Sequence, residues 1–441
     1  MEVDDRLMRA QRRLQGSMPG SPAADCGRPV LAAALAIAMQ LGGAVAHAQP
    51  ATTDEQRCTG QAAVSPQLQV DACTALLDSK RFRGHNLAIL HSNRGIAYGK
   101  AGDFDRAIED FDTAIRISPN HLRAHLNRGN AYYAKRDFDR AIASFGQAIR
   151  IDPKSVQTYM SRAGAYDAKG DGERAMADYN SAIRLDPNLA AAYFNRGLAY
   201  RRRAEFDRAI ADYDQAIRLN PKDVAAYNNR GIAYADKGKE EQALADYEQA
   251  LKLDPNYALA YLNRGLIWHT RKDYDRAIAD FDAAIRLAPD NAAAYNNRGT
   301  ALDAKGEFDR ALADFNKAIA LDPDSASYYD NRGNVWRNKG RFVRALADYD
   351  KAIALAPEFA LAFYNRSQVH YLAGRFSAAV ADAGKAATLD TRSAHAFSLR
   401  GLAQEKLGAR EAAIADFRRA LALNPALQQP ADGLRRLHSV P

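Results

Sequence analysis

The sequence predicts an all-α solenoid of ten helix-turn-helix units, and three observations carry that prediction. Asn-Arg-Gly or a near variant begins at 93, 127, 161, 195, 229, 263, 297, 331, 365 and 399, so every interval is 34 residues and no gap is needed. With Ala88 as position 1, positions 20 and 27 are Ala in all ten units. Position 32 is Pro in nine, beginning Pro119 and Pro153, with Thr391 the exception. A fixed period of this length marks stacked supersecondary units. It also frees a 441-residue chain from the limit of roughly 250 to 300 residues at which single cores stop growing.

The N-terminus carries Arg6, Arg9, Arg12, Arg13 and Arg28, an apolar run from Val30 to Ala46, then Ala46-His47-Ala48 before Gln49-Pro50. That order of basic, apolar and small-x-small segments predicts an export signal over residues 1–48, cleaved near Ala48 into a periplasmic or secreted chain. The apolar run is interrupted by Gln40, Gly42 and Gly43 and falls short of the roughly 20 residues that span a bilayer, so no permanent membrane anchor is expected. Cleavage removes Cys26 and leaves Cys58 and Cys73. An even pair in an exported chain predicts a disulfide; the alternative is Cys73 as a small buried residue on an amphipathic helix.

Each unit reads as two short antiparallel helices. Positions 4, 8 and 11 make one face of helix A, and positions 20, 24 and 27 one face of helix B. In the first unit Gly95 and Ala107 admit close helix approach, Phe111 fills the space beside them, and Pro119 ends helix B. Turns such as Gly102-Asp103 and Lys169-Gly170 separate the helices. The units run without insertion from 88–121 to 394–427, which leaves residues 49–87 and 428–441 as terminal caps.

This pattern resembles the tetratricopeptide repeat family over residues 88–427. The family signature has an aromatic at 4, Leu at 7, Gly at 8, Tyr at 11, Ala at 20, an aromatic at 24 and Pro at 32. The chain departs at 7, which is Arg throughout, and at 8 in Ala163 and Ser367. The resemblance implies a right-handed superhelix whose A helices line a concave groove, and a non-enzymatic scaffold for protein or peptide partners. Position 5 is never Lys and position 6 is never basic, so the carboxylate grip of the family's chaperone-binding branch is not expected.

Arg at position 7 recurs from Arg94 to Arg400, and Asp at position 23 in nine units, with Ser144 in the second. Opposite charges at fixed places predict an ionic ladder between helices A and B, with an anion-binding stripe the alternative. Asn recurs at position 6 as Asn93, Asn127, Asn195, Asn229, Asn263, Asn297, Asn331 and Asn365. Two readings stand open: a hydrogen bond locking helix A to its neighbour, or a ladder that holds an extended peptide. The second resembles the repeat domain of the nucleocytoplasmic N-acetylglucosaminyltransferase, whose inner asparagines hold a polypeptide backbone. An amide offers both donor and acceptor.

The positions that face the groove in the family vary here: Asn130, Tyr133, Met160, Asp167, Arg201, Arg202, Asp236, His269, Asp303, Asp330, Asn334, Arg337, Tyr364, Gln368 and Tyr371. Aromatic anchors mixed with charges of both signs suit peptide recognition.

The net charge of +8 is spread through all repeats and interleaved with acids, which argues against nucleic acid as a partner. His121 and His125 have the spacing of helical metal ligands, but His125 takes the place of a packing aromatic at position 4 and no cysteine or carboxylate cluster adjoins it; no metal and no cofactor are expected. Nucleotide loops and nucleophile elbows are absent and the strict register leaves no room for an inserted catalytic domain, so the chain is not expected to be an enzyme. A self-associating envelope assembly factor and a cell-wall carbohydrate receptor are the other functions compatible with the pattern.

Overall fold

The computed structural model describes residues 53–61 and 64–438; the export signal and its cleavage site lie outside them. Among the described residues there are 23 helices and no strand. They fall into two compact units, residues 53–253 and 254–438.

The first unit begins with α1 (Asp54–Cys58) and α2 (Pro66–Asp78). Five helix pairs follow: α3 (Gly84–Lys100) with α4 (Phe104–Ile117), α5 (Leu122–Ala134) with α6 (Phe138–Ile151), α7 (Val156–Lys169) with α8 (Gly172–Leu185), α9 (Ala190–Arg202) with α10 (Phe206–Leu219), and α11 (Val224–Asp236) with α12 (Glu240–Leu253). The second holds five more: α13 (Ala258–Thr270) with α14 (Tyr274–Leu287), α15 (Ala292–Ala304) with α16 (Phe308–Leu321), α17 (Ala326–Asn338) with α18 (Phe342–Leu355), α19 (Ala360–Leu372) with α20 (Phe376–Leu389), and α21 (Ala394–Lys406) with α22 (Arg410–Leu423), closed by α23 (Gln428–Arg436). Helix B fills positions 17 to 30 in every repeat, and from the second repeat on helix A fills positions 1 to 13, running one residue further to Lys169 in the third. Only α3 starts earlier, at Gly84.

Packing explains the invariant residues. Ala107, Phe111 and Ala114 on α4 close a core with Ala124 of the next repeat. Position 8 must be small because the position 24 ring lies across it: a Cβ on Gly95 would stand 2.7 Å from Phe111 Cε1, and one on Gly333 2.7 Å from Tyr349 Cε1. The ninth repeat breaks both rules together. Ser367 stands at position 8, and Ala383 replaces the ring at position 24; both are fully buried. Larger at one place is matched by smaller at the other, which conserves volume.

The turn joining helix A to helix B needs a left-handed residue at position 15 in every repeat. Glycine supplies it at Gly102, Gly170, Gly238, Gly306, Gly340, Gly374 and Gly408, whereas Arg136, Ala204 and Lys272 adopt φ of 61°, 58° and 62° without that freedom. Beyond the turn, Asp103, Asp137, Asp171 and Asp273 cap helix B by accepting the backbone N–H of position 19.

Further helices flank the ten pairs at either end. In α1 and α2, Cys58, Ala72, Cys73 and Leu76 form a small core with Leu90 of the first repeat. At the other end Leu434 of α23 is buried against Phe417, and Arg436 pairs with Glu405 at 2.7 and 2.8 Å.

Candidate functional site

The position 7 arginines form the frame on which the variable side chains stand. Each bonds the Asp at position 23 of its own B helix through two N–H groups: Arg162 Nε and Nη2 reach Asp178 at 2.7 and 2.8 Å, and Arg366 reaches Asp382 at 2.7 and 2.6 Å. In the second repeat Arg128 Nε donates to Ser144 Oγ at 3.2 Å instead. The expected ladder between helices A and B is present, and it does more than sequence reasoning foresaw. A further N–H of the same arginine crosses to position 25 of the preceding repeat, as in Arg196 to Asn180, Arg230 to Asp214, Arg298 to Asp282 and Arg366 to Asp350, at 2.5 to 2.6 Å. The position 25 residues, read singly, look like ordinary surface polar groups; only the constancy of Arg at position 7 hinted at a second partner. Where position 25 is Gly146 or Gly384, the arginines that follow, Arg162 and Arg400, bond only the Asp of their own repeat.

In the first unit the structure brings several predicted groove residues together along successive A helices. Arg202 pairs with Asp167 of the preceding repeat at 2.7 Å, and Asp167 also accepts from Tyr179 Oη at 2.8 Å. Arg201 lies 3.9 Å from Asp236 of the following repeat. The Tyr133 ring packs edge-on against Phe138 at 5.5 Å, and burial raises its phenol pKa. Asn130 Oδ1 and Arg201 Nε are buried with no partner in the protein. A buried polar atom left unmatched costs about 1 to 3 kcal/mol, a cost that a polar ligand would relieve. Met160 is half-buried against the apolar cluster that contains Tyr166, Met176 and Tyr179.

The second unit holds a denser cluster. Asn338 donates to Asp303 at 3.2 Å, Arg337 Nη1 donates to Gln368 Oε1, and Gln368 Nε2 donates to Tyr364 Oη at 2.8 Å. Asn334 links Asp330 (3.3 Å) to Tyr349, whose hydroxyl donates to it at 2.9 Å. Burial lifts the carboxyl pKa of Asp303 and takes that of Asp330 to about 6, against the opposing effects of Asn365 and Arg337 on the latter. Tyr371 packs edge-on against Phe376 at 5.5 Å. His269 packs in the same way against Tyr274 at 5.4 Å. A guanidinium, an amide, phenols and carboxylates thus stand side by side on consecutive A helices.

The position 6 asparagines sit deeper than these residues. Asn195, Asn229, Asn297 and Asn365 are buried, while Asn93, Asn127, Asn263 and Asn331 are half-buried. Asn331 Nδ2 donates to Asn296 of the preceding repeat at 2.9 Å, and Asn365 Nδ2 to both Asp330 oxygens at 3.0 Å. Asn229 Nδ2 donates to the Ala225 carbonyl at 2.9 Å. The Asn331 and Asn365 bonds join neighbouring A helices, as the first reading of position 6 expects, whereas the Asn229 bond stays within its own helix. The partner at position 5 varies from repeat to repeat, so no fixed motif announced it.

His121 and His125 do not converge on a common point. His121 accepts the Ala124 N–H as a helix cap, and a His125 ring nitrogen meets the Pro119 carbonyl at 2.9 Å. Cys58 and Cys73 stand at bonding distance, 2.11 Å between sulfurs.

Comparison with known proteins places these findings. Profiles of the tetratricopeptide repeat match residues 93–156, 126–190, 230–292 and 272–326, a further profile described as a TPR repeat matches 199–238, and two more tetratricopeptide repeat profiles match 326–359 and 394–427. Together they cover more than half of the chain. No curated protein matches it. Among solved structures, the hetero-tetramer Cut9–Hcn1 of the APC/C is 14% identical, with a TM-score of 0.51 over 87% of this chain and 95% of that one. A tetratricopeptide repeat protein from Parabacteroides merdae is 24% identical, with 0.48 over 57% and 99%. Tom70 from yeast is 17% identical, with 0.46 over 87% and 93%. The first likeness shows a shared helical-repeat fold.

Proposed function

The chain belongs to the tetratricopeptide repeat family, a protein-interaction scaffold by construction, and from that premise we propose that it is an exported, non-enzymatic adaptor that binds extended polypeptide segments along its A helices. One observation carries this reading. The scaffold residues are constant, whereas position 12 changes chemistry from repeat to repeat, through Tyr133, Asp167, Arg201, His269, Asp303, Arg337 and Tyr371. A row of different anchors on an invariant frame discriminates between peptide side chains. An extended strand rises about 3.3 Å per residue and packed helices stand roughly 8 to 10 Å apart, so each A helix meets about every third ligand residue.

Export is supported by the Arg6–Ala48 segment and by the cysteine pair, since disulfides persist in oxidising compartments. The position 6 asparagines that are not buried, such as Asn93 and Asn127, remain able to offer an amide to a ligand backbone.

The test is capture of partners from a cell-envelope extract by the chain and by a Tyr133→Ala, Arg337→Ala, Tyr371→Ala variant, with helical circular dichroism as a check on folding. Partners lost with the folded variant support binding at the A-helix row. Equal capture by both sinks it and turns attention to the B helices and the ends.

A further inference from the structure

The turn edge of the solenoid carries a charge pattern that stops abruptly. Through most of the chain a base at position 14 pairs with the acid at position 18 of the preceding repeat: Lys135 with Asp105, Lys237 with Asp207, Lys305 with Asp275 at 2.6 Å and Lys339 with Asp309 at 2.8 Å. The acid at position 16 holds Arg at position 19 alongside, as Glu307 holds Arg310 at 2.5 Å. After Lys339 both devices vanish. Position 18 becomes Val343 and then Ser377, while position 14 becomes Ala373 and then Leu407. Both partners of each ion pair are replaced together, Val343 with Ala373 and Ser377 with Leu407. Position 16, basic before this only at Lys239, becomes Arg341 and then Arg375 in succession.

Exposure follows the same break. Val343 is 81% exposed, Leu372 60% and Leu407 49%; among the described residues only Leu68 and Leu185 are other large hydrophobics so open to solvent. Arg341 and Arg375 are exposed, and among the described residues neither meets a carboxylate. They stand before α18 and α20, which begin with no side-chain cap and no acid in the first turn. Lys406 is exposed beside Leu407, and an acid returns at position 18 only with Glu411, later in the same tenth repeat.

We propose that the turn edge of repeats eight to ten, formed by Arg341, Val343, Leu372, Arg375, Lys406 and Leu407, docks on the surface of a bilayer rich in anionic lipid. This reading does not depend on the A-helix row. Leu372 ends α19, Leu407 caps the end of α21, and Val343 stands in the first turn of α18. Protruding tips insert shallowly between headgroups, where apolar residues flanked by bases settle at the headgroup–acyl boundary. A guanidinium matches phosphate oxygens bidentately, and anionic leaflets draw basic clusters to them. An acidic protein segment has the right charge, but it would need a cleft to cover Val343, and a turn tip is not a cleft.

The test restores the earlier pattern in the full chain with Arg341→Glu, Val343→Asp, Leu372→Ala, Ala373→Lys, Arg375→Asp, Ser377→Asp and Leu407→Lys. Four of these changes rebuild the two missing ion pairs, so the fold is kept; circular dichroism checks it. Vesicles of phosphatidylcholine with phosphatidylglycerol should sediment the unaltered chain at least about tenfold more tightly than the variant, and vesicles of phosphatidylcholine alone should bind the two alike. On addition of anionic vesicles, amide exchange should slow at residues 338–344 and 371–377 of the unaltered chain, a readout that stands even if the variant fails to fold. Equal binding of both chains to anionic vesicles, or unslowed exchange at these turns, overturns the proposal. Slowing of the same amides by a peptide of alternating Glu and Leu, without vesicle binding, would assign the surface to a protein instead.

Discussion

Arg298 joins three helices: its guanidinium makes two 2.7 Å bonds to Asp314 and one of 2.5 Å to Asp282 of the preceding repeat. Asp314 is 5% exposed, so Arg298→Ala strands a carboxylate in the interior and should cost about 3 to 5 kcal/mol. Guanidinium unfolding, with native-state exchange in α15 and α16 to localise the loss, measures it; a change below about 1 kcal/mol would mean that water reaches Asp314. Asp330 presents the opposite case, a carboxyl whose pKa burial raises from 3.8 to about 6. Its ionisation works against the fold, so the stability it contributes is fully present below about pH 4 and is lost as pH rises through about 6. Asp330→Asn should therefore stabilise the chain at pH 8 by up to about 3 kcal/mol and leave it unchanged near pH 4, because Asn still accepts from Asn365. Thermal melts across that range check the sign. The opposite order would mean that Arg337 controls Asp330 more strongly than burial does. Position 6 teaches a related lesson. Its recurrence was visible in the sequence, but its partners Asn296 and Asp330 lie 35 residues upstream, at a position with no constant chemistry.

Helices and turns were the most legible part of the chain. Ala at positions 20 and 27 lies inside helix B, where close packing admits no larger side chain, and Pro at 32 in nine repeats, with no N–H to donate, follows the end of that helix. The turn at position 15 was only partly legible, since Arg136, Ala204 and Lys272 disguise a left-handed site that seven glycines reveal. Ala204→Gly removes that conformational strain and should raise stability by about 1 kcal/mol, readable as a shift in denaturant midpoint at unchanged slope. The cysteine pair joins α1 to α2, and Cys58→Ser with Cys73→Ser should weaken that cap by roughly 3 kcal/mol. Limited proteolysis between residues 53 and 83 would then accelerate while cleavage within the second unit keeps its rate. Uniform acceleration along the chain would mean that the cap governs all the repeats.

At the scale of the whole chain, the period of 34 residues was enough to read an all-helical repeat architecture. The division into two units after Leu253 was not legible, because no insertion or change of register marks it. Nor was the cationic, apolar turn edge, which emerges only when Lys305 and Lys339 are seen reaching across to Asp275 and Asp309. The export reading makes a mass prediction: the chain recovered from outside the cytoplasm should begin at Gln49, and an intact mass that retains residues 1–48 would refute it. The two-way bonding of the position 7 arginine also gives assembly a direction. A chain that threads a ribosomal tunnel or a membrane pore N-terminus first presents Arg196 after Asn180 but before Asp212. The newborn helix therefore first hooks backwards onto what has already folded, and then catches the helix that follows it out. An arginine that bonds in both directions acts as a pawl on a ratchet, and the growing array of repeats ends in a half-built tooth awaiting its next partner.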